Sequence, residues 1–238
     1  MHMVFTGNPG TAKTTVARLL AKILRDNQIL STGYYVEVGR GDLVGKYVGW
    51  TAKNVKEKFR EASGGVLFID EAYSLVDDRS GSFGDEAINT IVQEMENHRE
   101  DVVVIFAGYP DKMEEFLKKN PGLRSRIAFH VPFPDYTVDE LCGITHLYAE
   151  KKGLCITSEA EKKLNDIYTV ASKNHDFGNG RFVRNMLEKA TMAQASRLVK
   201  MDPDKVNASD LSRICGEDIE MPVIEKQRPK IKTIGFAS

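Results

Sequence analysis

His2 to Leu20 reads HMVFTGNPGTAKTTVARLL, a short apolar strand, a glycine-bearing loop and a helix in direct succession. A loop of this kind, Gly7-Asn8-Pro9-Gly10-Thr11-Ala12-Lys13-Thr14 with Thr15 behind it, turns successive backbone N–H groups onto phosphate oxygens. The helix N-terminus adds its partial positive charge. Lys13 is then placed to reach the outer phosphates, and Thr14 to ligate Mg²⁺. Ala12 stands where such loops normally carry glycine, because the backbone there passes close to the phosphates and a Cβ resists some conformations. If that conformation is left-handed, alanine costs roughly 1–2 kcal/mol, which weakens the loop without destroying it. Taken alone, the stretch also fits a Gly-Pro turn leading into an ordinary helix.

Outward from this loop, strand-like and helix-like runs alternate, the pattern of a parallel sheet covered by helices. After the helix, in which Val16, Leu19, Leu20, Ile23 and Leu24 fall on one face, come four short β-rich runs: YYVEV (34–38), GVLFID (65–70), VVVIFAG (102–108) and IAFHVPF (127–133). The third and fourth of these are continuous enough to be buried on both faces. Amphipathic helices are predicted between them, near 51–62, 85–97 and 112–119. Alternation stops at FPDYTVDEL, where Pro134 ends the last strand and Thr137 with Glu140 forms a capping box. The rest reads as helical throughout, over 138–151, 159–173 behind a capping box at Ser158 and Glu161, 181–199, and a short helix near Asp210. From Gly216 the chain reads as an extended tail.

The run VLFIDEA ends an apolar strand in adjacent carboxylates, Asp70 and Glu71. Beside the first strand, Asp70 is suited to the Mg²⁺ shell and Glu71 to polarising a water for attack on a γ-phosphoryl group. Two acids closing a strand also fit a helix N-cap, a reading that weakens once the phosphate loop is set beside them.

TGNPGTAKTTVARLLA, GDLVGKYVGWTAKNV, GGVLFIDEAYSL, AGYPDKMEEFLKKNPGLRSRI, FPDYTVDEL and GNGRFVRNMLEKA, together spanning most of the chain, resemble the AAA+ ATPases of the CbbX, CfxQ and stage V sporulation protein K branch. The resemblance implies an α/β nucleotide-binding domain over 1–136, a helical lid over 137–215 and a tail over 216–238. It implies a ring, usually a homohexamer, with ATP and Mg²⁺ between neighbouring subunits. Gly7–Thr14 then corresponds to the Walker A loop and Asp70 with Glu71 to Walker B. Arg124 and Arg126 are candidate arginine fingers, Arg126 the favoured one. Arg181 resembles the sensor-2 arginine that touches the phosphates, while Arg184, one turn on, is read as serving an interface. Tyr47 and Val48, in GKYVG, look like a pore loop that grips polypeptide, with local packing of Tyr47 over the next helix as the structural alternative. Two features depart from the pattern. The sensor-1 position is Tyr109, not a small polar residue, and the strand carrying the loop begins at Met1, as expected for an N-terminally truncated chain or the last piece of a tandem-domain protein.

Composition narrows the function classes. In 238 residues, 33 Lys+Arg against 34 Asp+Glu give a formal net charge of -1, so neither nucleic acid nor an anionic membrane is an expected partner. No apolar run approaches a membrane span, and the histidines lack metal-ligand spacing. Cys142, Cys155 and Cys215 are expected as reduced packing thiols of a cytoplasmic protein. The expectation is an ATP-hydrolysing ring that remodels a protein substrate. The alternative is a nucleotide-binding scaffold subunit with little or no hydrolysis, and a DNA-acting clamp or helicase loader is disfavoured by the neutral charge.

Overall fold

The computed structural model describes residues 1–47, 49–76, 83–174, 177–202 and 207–222. Its first compact unit takes in Met1–Thr137 and Asp176–Val183, and its second Val138–His175 and Arg184–Ser238.

In the first unit the order is β1 (His2–Gly7), α1 (Lys13–Asp26), β2 (Tyr35–Val38), α2 (Arg40–Leu43), α3 (Trp50–Glu61) and β3 (Val66–Ile69). A 3-10 turn over Ala72–Val76 follows, then α4 (Phe83–Asn97), β4 (Val103–Gly108), α5 (Pro110–Lys119), α6 (Pro121–Arg124) and β5 (Ile127–Phe133). The five strands form one parallel sheet in the order β2-β3-β4-β1-β5. The acid-bearing strand β3 is therefore not beside β1, as expected from the sequence, since β4 lies between them. A parallel register keeps the loop-bearing ends of all three at one edge of the sheet.

Period-two alternation divides the core. Val4, Leu67, Ile69, Val104 and Phe106 face Val55 and Phe59 of α3, Ile88 and Ile91 of α4 and Phe116 of α5. Met3, Phe5, Val66, Phe68, Val103 and Ile105 face Ala17, Ala21 and Leu24 of α1. The latter corrects part of the helical face read from the sequence: Leu24 is buried and Leu20 packs against the same core, but Val16, Leu19 and Ile23 are 38%, 56% and 45% exposed, and Ala17 and Ala21 touch the sheet in their place. Small side chains let α1 approach closely, which a count of large apolar residues does not register. A second correction concerns burial. β4 is buried along its length, as is β3, but β5 is an edge strand with most of its residues exposed or half-buried.

In the second unit α7 (Val138–Lys151), β6 (Cys155–Ile156), α8 (Ser158–Ala171), the body of α9 (Asn179–Lys200), α10 (Ala208–Ser212) and β7 (Arg213–Ile214) follow. The region is not wholly helical, because β6 and β7 pair in parallel. The cap of α8 is Thr157, whose hydroxyl accepts from the Ala160 N–H, so the predicted cap at Ser158 is one residue late. Tyr168 is buried between α7 and α8 and shares a 2.7 Å hydrogen bond with Thr145. Gly216–Asp218, read as extended, forms a 3-10 turn, with Asp218 accepting both 2.9 Å bonds from Arg197. The remainder of the tail, 223–238, lies outside the described residues. Cys142 and Cys215 are half-buried free thiols, but Cys155 is exposed, so it is not a packing thiol. No described helix is long and apolar enough to cross a membrane.

Candidate functional site

Between β1 and α1 the chain forms a tight cup. Lys13 folds back so that its Nζ donates to the carbonyls of Gly7 and Asn8, both at 2.8 Å. Thr11, buried, closes the loop by donating its hydroxyl to the Asn8 carbonyl at 2.8 Å. Ala12 is the N-cap of α1 at φ 66° and ψ 18°, the left-handed conformation that makes glycine the usual residue there. Ala12 has no side chain to cap α1, so among the described residues the amides of its first turn, which includes Thr14 and Thr15, have no capping side chain and are available to a ligand. That orphaned donor set, with a lysine on the loop and a hydroxyl one residue into the helix, fits a phosphate group with its Mg²⁺. Gly10 has a stricter requirement: at φ +76°, a Cβ there would lie 2.2 Å from the carbonyl oxygen of Gly178.

At the end of β3 the Asp70 N–H donates to the Val38 carbonyl, and the Glu71 N–H to Asp70 Oδ1 at 3.0 Å. Glu71 is held at φ 48°, an uncommon conformation for a non-glycine residue. Burial pushes the Asp70 carboxyl above its ordinary value; the Glu71 N–H that it accepts opposes this, the Glu71 charge adds to it, and Lys13 opposes it again. Lys13 in turn is lowered by burial, with Asp70 the leading acidic counterweight and Arg181, Asp135 and Glu71 also within electrostatic range. One lysine therefore feels the strand-end acids, the phosphate loop and the arginine that opens α9.

Arg181 is exposed, and its backbone N–H donates to the Gly178 carbonyl. Arg184 belongs to the second unit, where its guanidinium lies over the Tyr148 ring and donates to that hydroxyl at 3.2 Å. Arg124 is exposed at the end of α6. Arg126 is engaged: its Nη1 donates to the Gly122 carbonyl at 3.1 Å, and its Nε lies 3.3 Å from Glu96 Oε2 without hydrogen-bond geometry. Both arginines precede Ile127, which pairs with His2 at the start of β1, whereas the phosphate loop leaves from Gly7 at the strand's other end. That separation is roughly 17 Å of strand, so neither arginine is placed to serve its own loop. Tyr47 is 62% exposed, and its ring meets that of Trp50, 53% exposed, edge-on at 4.9 Å. Val48 lies outside the described residues.

Three groups were not singled out from the sequence. Tyr73, two residues past Glu71, has its hydroxyl pushed up to about 12, by burial first and then by the Glu71 charge. Its ring lies 6.2 Å from that of Tyr109, the residue the resemblance sets at the sensor-1 position, and Lys112 sits over both rings at 4.6 and 5.1 Å. Asn179 and Asp135 are joined to the phosphate loop by side-chain hydrogen bonds. The only sequence signal for these was adjacency, to DEA for Tyr73 and to Arg181 for Asn179.

Residues 3–135 match the family model of the ATPase family associated with various cellular activities (AAA), and residues 137–230 match the AAA lid domain. A CfxQ homolog of Pyropia yezoensis is 47% identical over 220 residues, covering 92% of this chain and 73% of that protein. The chloroplastic ribulose bisphosphate carboxylase/oxygenase activase of Cyanidioschyzon merolae is 46% identical, covering 92% and 75%. Stage V sporulation protein K of Bacillus subtilis is 44% identical, covering 93% and 69%. The crystal structure of the FIGL-1 AAA domain in complex with ADP superposes with a TM-score of 0.63 at 18% identity, over 91% of this chain and 68% of that one, a likeness of fold alone.

Proposed function

The chain belongs to the AAA ATPases, enzymes that hydrolyse ATP, and on that premise we propose that it works as a nucleotide-assembled ring which pulls on a protein segment. The observation that carries the reading is the uncapped turn between β1 and α1 with Lys13 folded over it, at the same edge of the sheet as the Asp70–Glu71 pair that closes β3. The loop amides and Lys13 bind the phosphates, and Thr14 and Asp70 hold Mg²⁺. The ion supplies charge neutralisation on the phosphate oxygens when bound. Glu71 orients and deprotonates the attacking water, helped by a backbone that its left-handed conformation fixes. Arg181 contacts the phosphates from the start of α9.

The finger role falls to a residue acting on the neighbouring subunit's nucleotide, since neither arginine before β5 is placed to serve its own loop. The structure favours Arg124, which is exposed, over Arg126, which is held by Gly122 and Glu96. Tyr47 presents an aromatic ring to solvent, braced by Trp50, and serves as the polypeptide grip. The relatives include a protein named for activating ribulose bisphosphate carboxylase/oxygenase and one named for sporulation, so a protein target fits this chain as well.

The test combines assembly with coupling. Light scattering of the full chain is expected to show a ring on addition of ATP and Mg²⁺, because a ligand at a subunit junction is linked to association. Tyr47→Ala is expected to keep basal phosphate release but lose its stimulation by an unfolded polypeptide such as casein, while Glu71→Gln loses phosphate release altogether. A monomer at every nucleotide and protein concentration, or undiminished stimulation in Tyr47→Ala, would refute the reading.

A further inference from the structure

Asn179 is a fully buried amide in a loop-to-helix turn, at φ 46°. Its Oδ1 accepts the Tyr136 N–H at 2.9 Å. Its Nδ2 donates to Asp135 Oδ1 at 2.7 Å and lies 3.3 Å from the carbonyls of Pro9 and Phe177. The Asp135 carboxylate is shared, because Asn8 Nδ2 donates to both its oxygens at 3.1 and 2.9 Å. The main chain adds a further tie, from the Gly180 N–H to the Gly10 carbonyl at 3.1 Å. The phosphate loop is thus fastened at three successive residues, Asn8, Pro9 and Gly10, to the turn that ends in Arg181.

We propose that Asn179, with Asp135, is a positioning residue that fixes the start of α9 against the phosphate loop, so that the Arg181 guanidinium is aimed at the phosphates the loop holds. The proposal rests on the reading of Arg181 as a phosphate contact. Helix α9 has no acidic residue in its first turn to orient it, and the Asn8–Asp135–Asn179 chain supplies the directional bonds instead. A buried amide using both its oxygen and its nitrogen has few other orientations available, which is the property needed to place a long, exposed arginine two residues away. A merely structural amide would hold the turn together without favouring turnover over binding.

The experiment is steady-state ATP hydrolysis and ADP binding on the full chain, in a cycle of wild type, Asn179→Gly, Arg181→Ala and the double variant. Glycine accepts a φ of 46° without strain, so Asn179→Gly removes the amide and leaves the backbone its conformation. We expect kcat to fall about tenfold while the ADP Kd moves less than about threefold, and the double variant to match Arg181→Ala within about twofold. Asp135→Asn repeats the cycle with a smaller change, and its kcat loss is expected to be equally non-additive. Normal kcat in folded Asn179→Gly and Asp135→Asn, or losses that multiply with that of Arg181→Ala, would overturn the proposal and leave Arg181 as read. Wild-type turnover in Arg181→Ala would overturn the reading of Arg181 and this proposal with it.

Discussion

Replacing Ala12 by glycine separates strain in the fold from strain in the bound complex. Ala12 is left-handed, and its carbonyl accepts the Val16 N–H at 2.9 Å, so the conformation belongs to the first hydrogen-bonded turn of α1. A strain set by the helix is present whether or not phosphate occupies the loop, and a term common to both states cancels from an affinity. Left-handed alanine costs roughly 1–2 kcal/mol. Glycine removes that strain but adds roughly 0.4–1 kcal/mol of unfolded-chain entropy. The net gain is then about 0.8 kcal/mol in stability, or a melting temperature about 2–3 °C higher for a chain of this size. Calorimetric melting and titration with ATP at fixed Mg²⁺ measure the two quantities on the same samples. We expect Ala12→Gly to melt higher and to bind ATP within about twofold of wild type. Tenfold tighter ATP binding with unchanged melting would refute the reasoning, because the strain would then arise only when nucleotide is bound.

Lys13→Ala is expected to abolish ATP binding while leaving the fold intact, since its Nζ donates to two loop carbonyls and packs in no core cluster of the described residues; micromolar affinity in a fluorescent-analogue titration would contradict this. Arg124→Ala is expected to keep nucleotide affinity and lose about 100-fold or more in kcat, as a group acting in the transition state does. Arg126→Ala should instead lower the melting temperature, and the reverse pattern would return the finger to Arg126. The imidazole of buried His2, whose Nδ1 accepts the Val104 N–H at 3.1 Å, is pushed by burial down to about 4, below its ordinary 6.5. The unfolded chain therefore binds the extra proton first, and stability present above pH 6.5 is lost as pH falls toward 4, by up to about 2–3 kcal/mol. Chemical denaturation across that window in wild type and His2→Gln checks this, with the variant expected to show a flatter profile.

What the sequence made legible was local. The phosphate loop, the acids closing β3 and the change of pattern at Pro134 each lie within about ten consecutive residues, where spacing and residue type carry the chemistry. What it concealed was long-range. The insertion of β4 between β1 and β3 depends on pairings between strands distant in sequence. The Asn8–Asp135–Asn179 chain joins residues 127 and 44 positions apart, each an unremarkable polar side chain by itself. The burial of β5 was misjudged because a continuous apolar run does not distinguish a central strand from an edge strand. The face of α1 was misjudged because alanine scores as weakly apolar even when its size makes the contact possible.

That alanine contact also calibrates the site. Ala17 and Ala21 act as spacers that set how far the axis of α1 stands off the sheet, and Lys13 and Thr14 ride on the first turn of the same rigid rod. Added bulk at either alanine would lift the rod and carry the lysine and the hydroxyl away from the strand-end acids, with every residue of the phosphate loop unchanged. Polar replacements at Val16, Leu19 or Ile23 would leave that standoff alone. Tolerance along this helix therefore does not follow hydropathy, since Val16, Leu19 and Ile23 are open to change while Ala17, Ala21 and Leu24 are not, with two methyl groups serving as the gauge for the position of a charge.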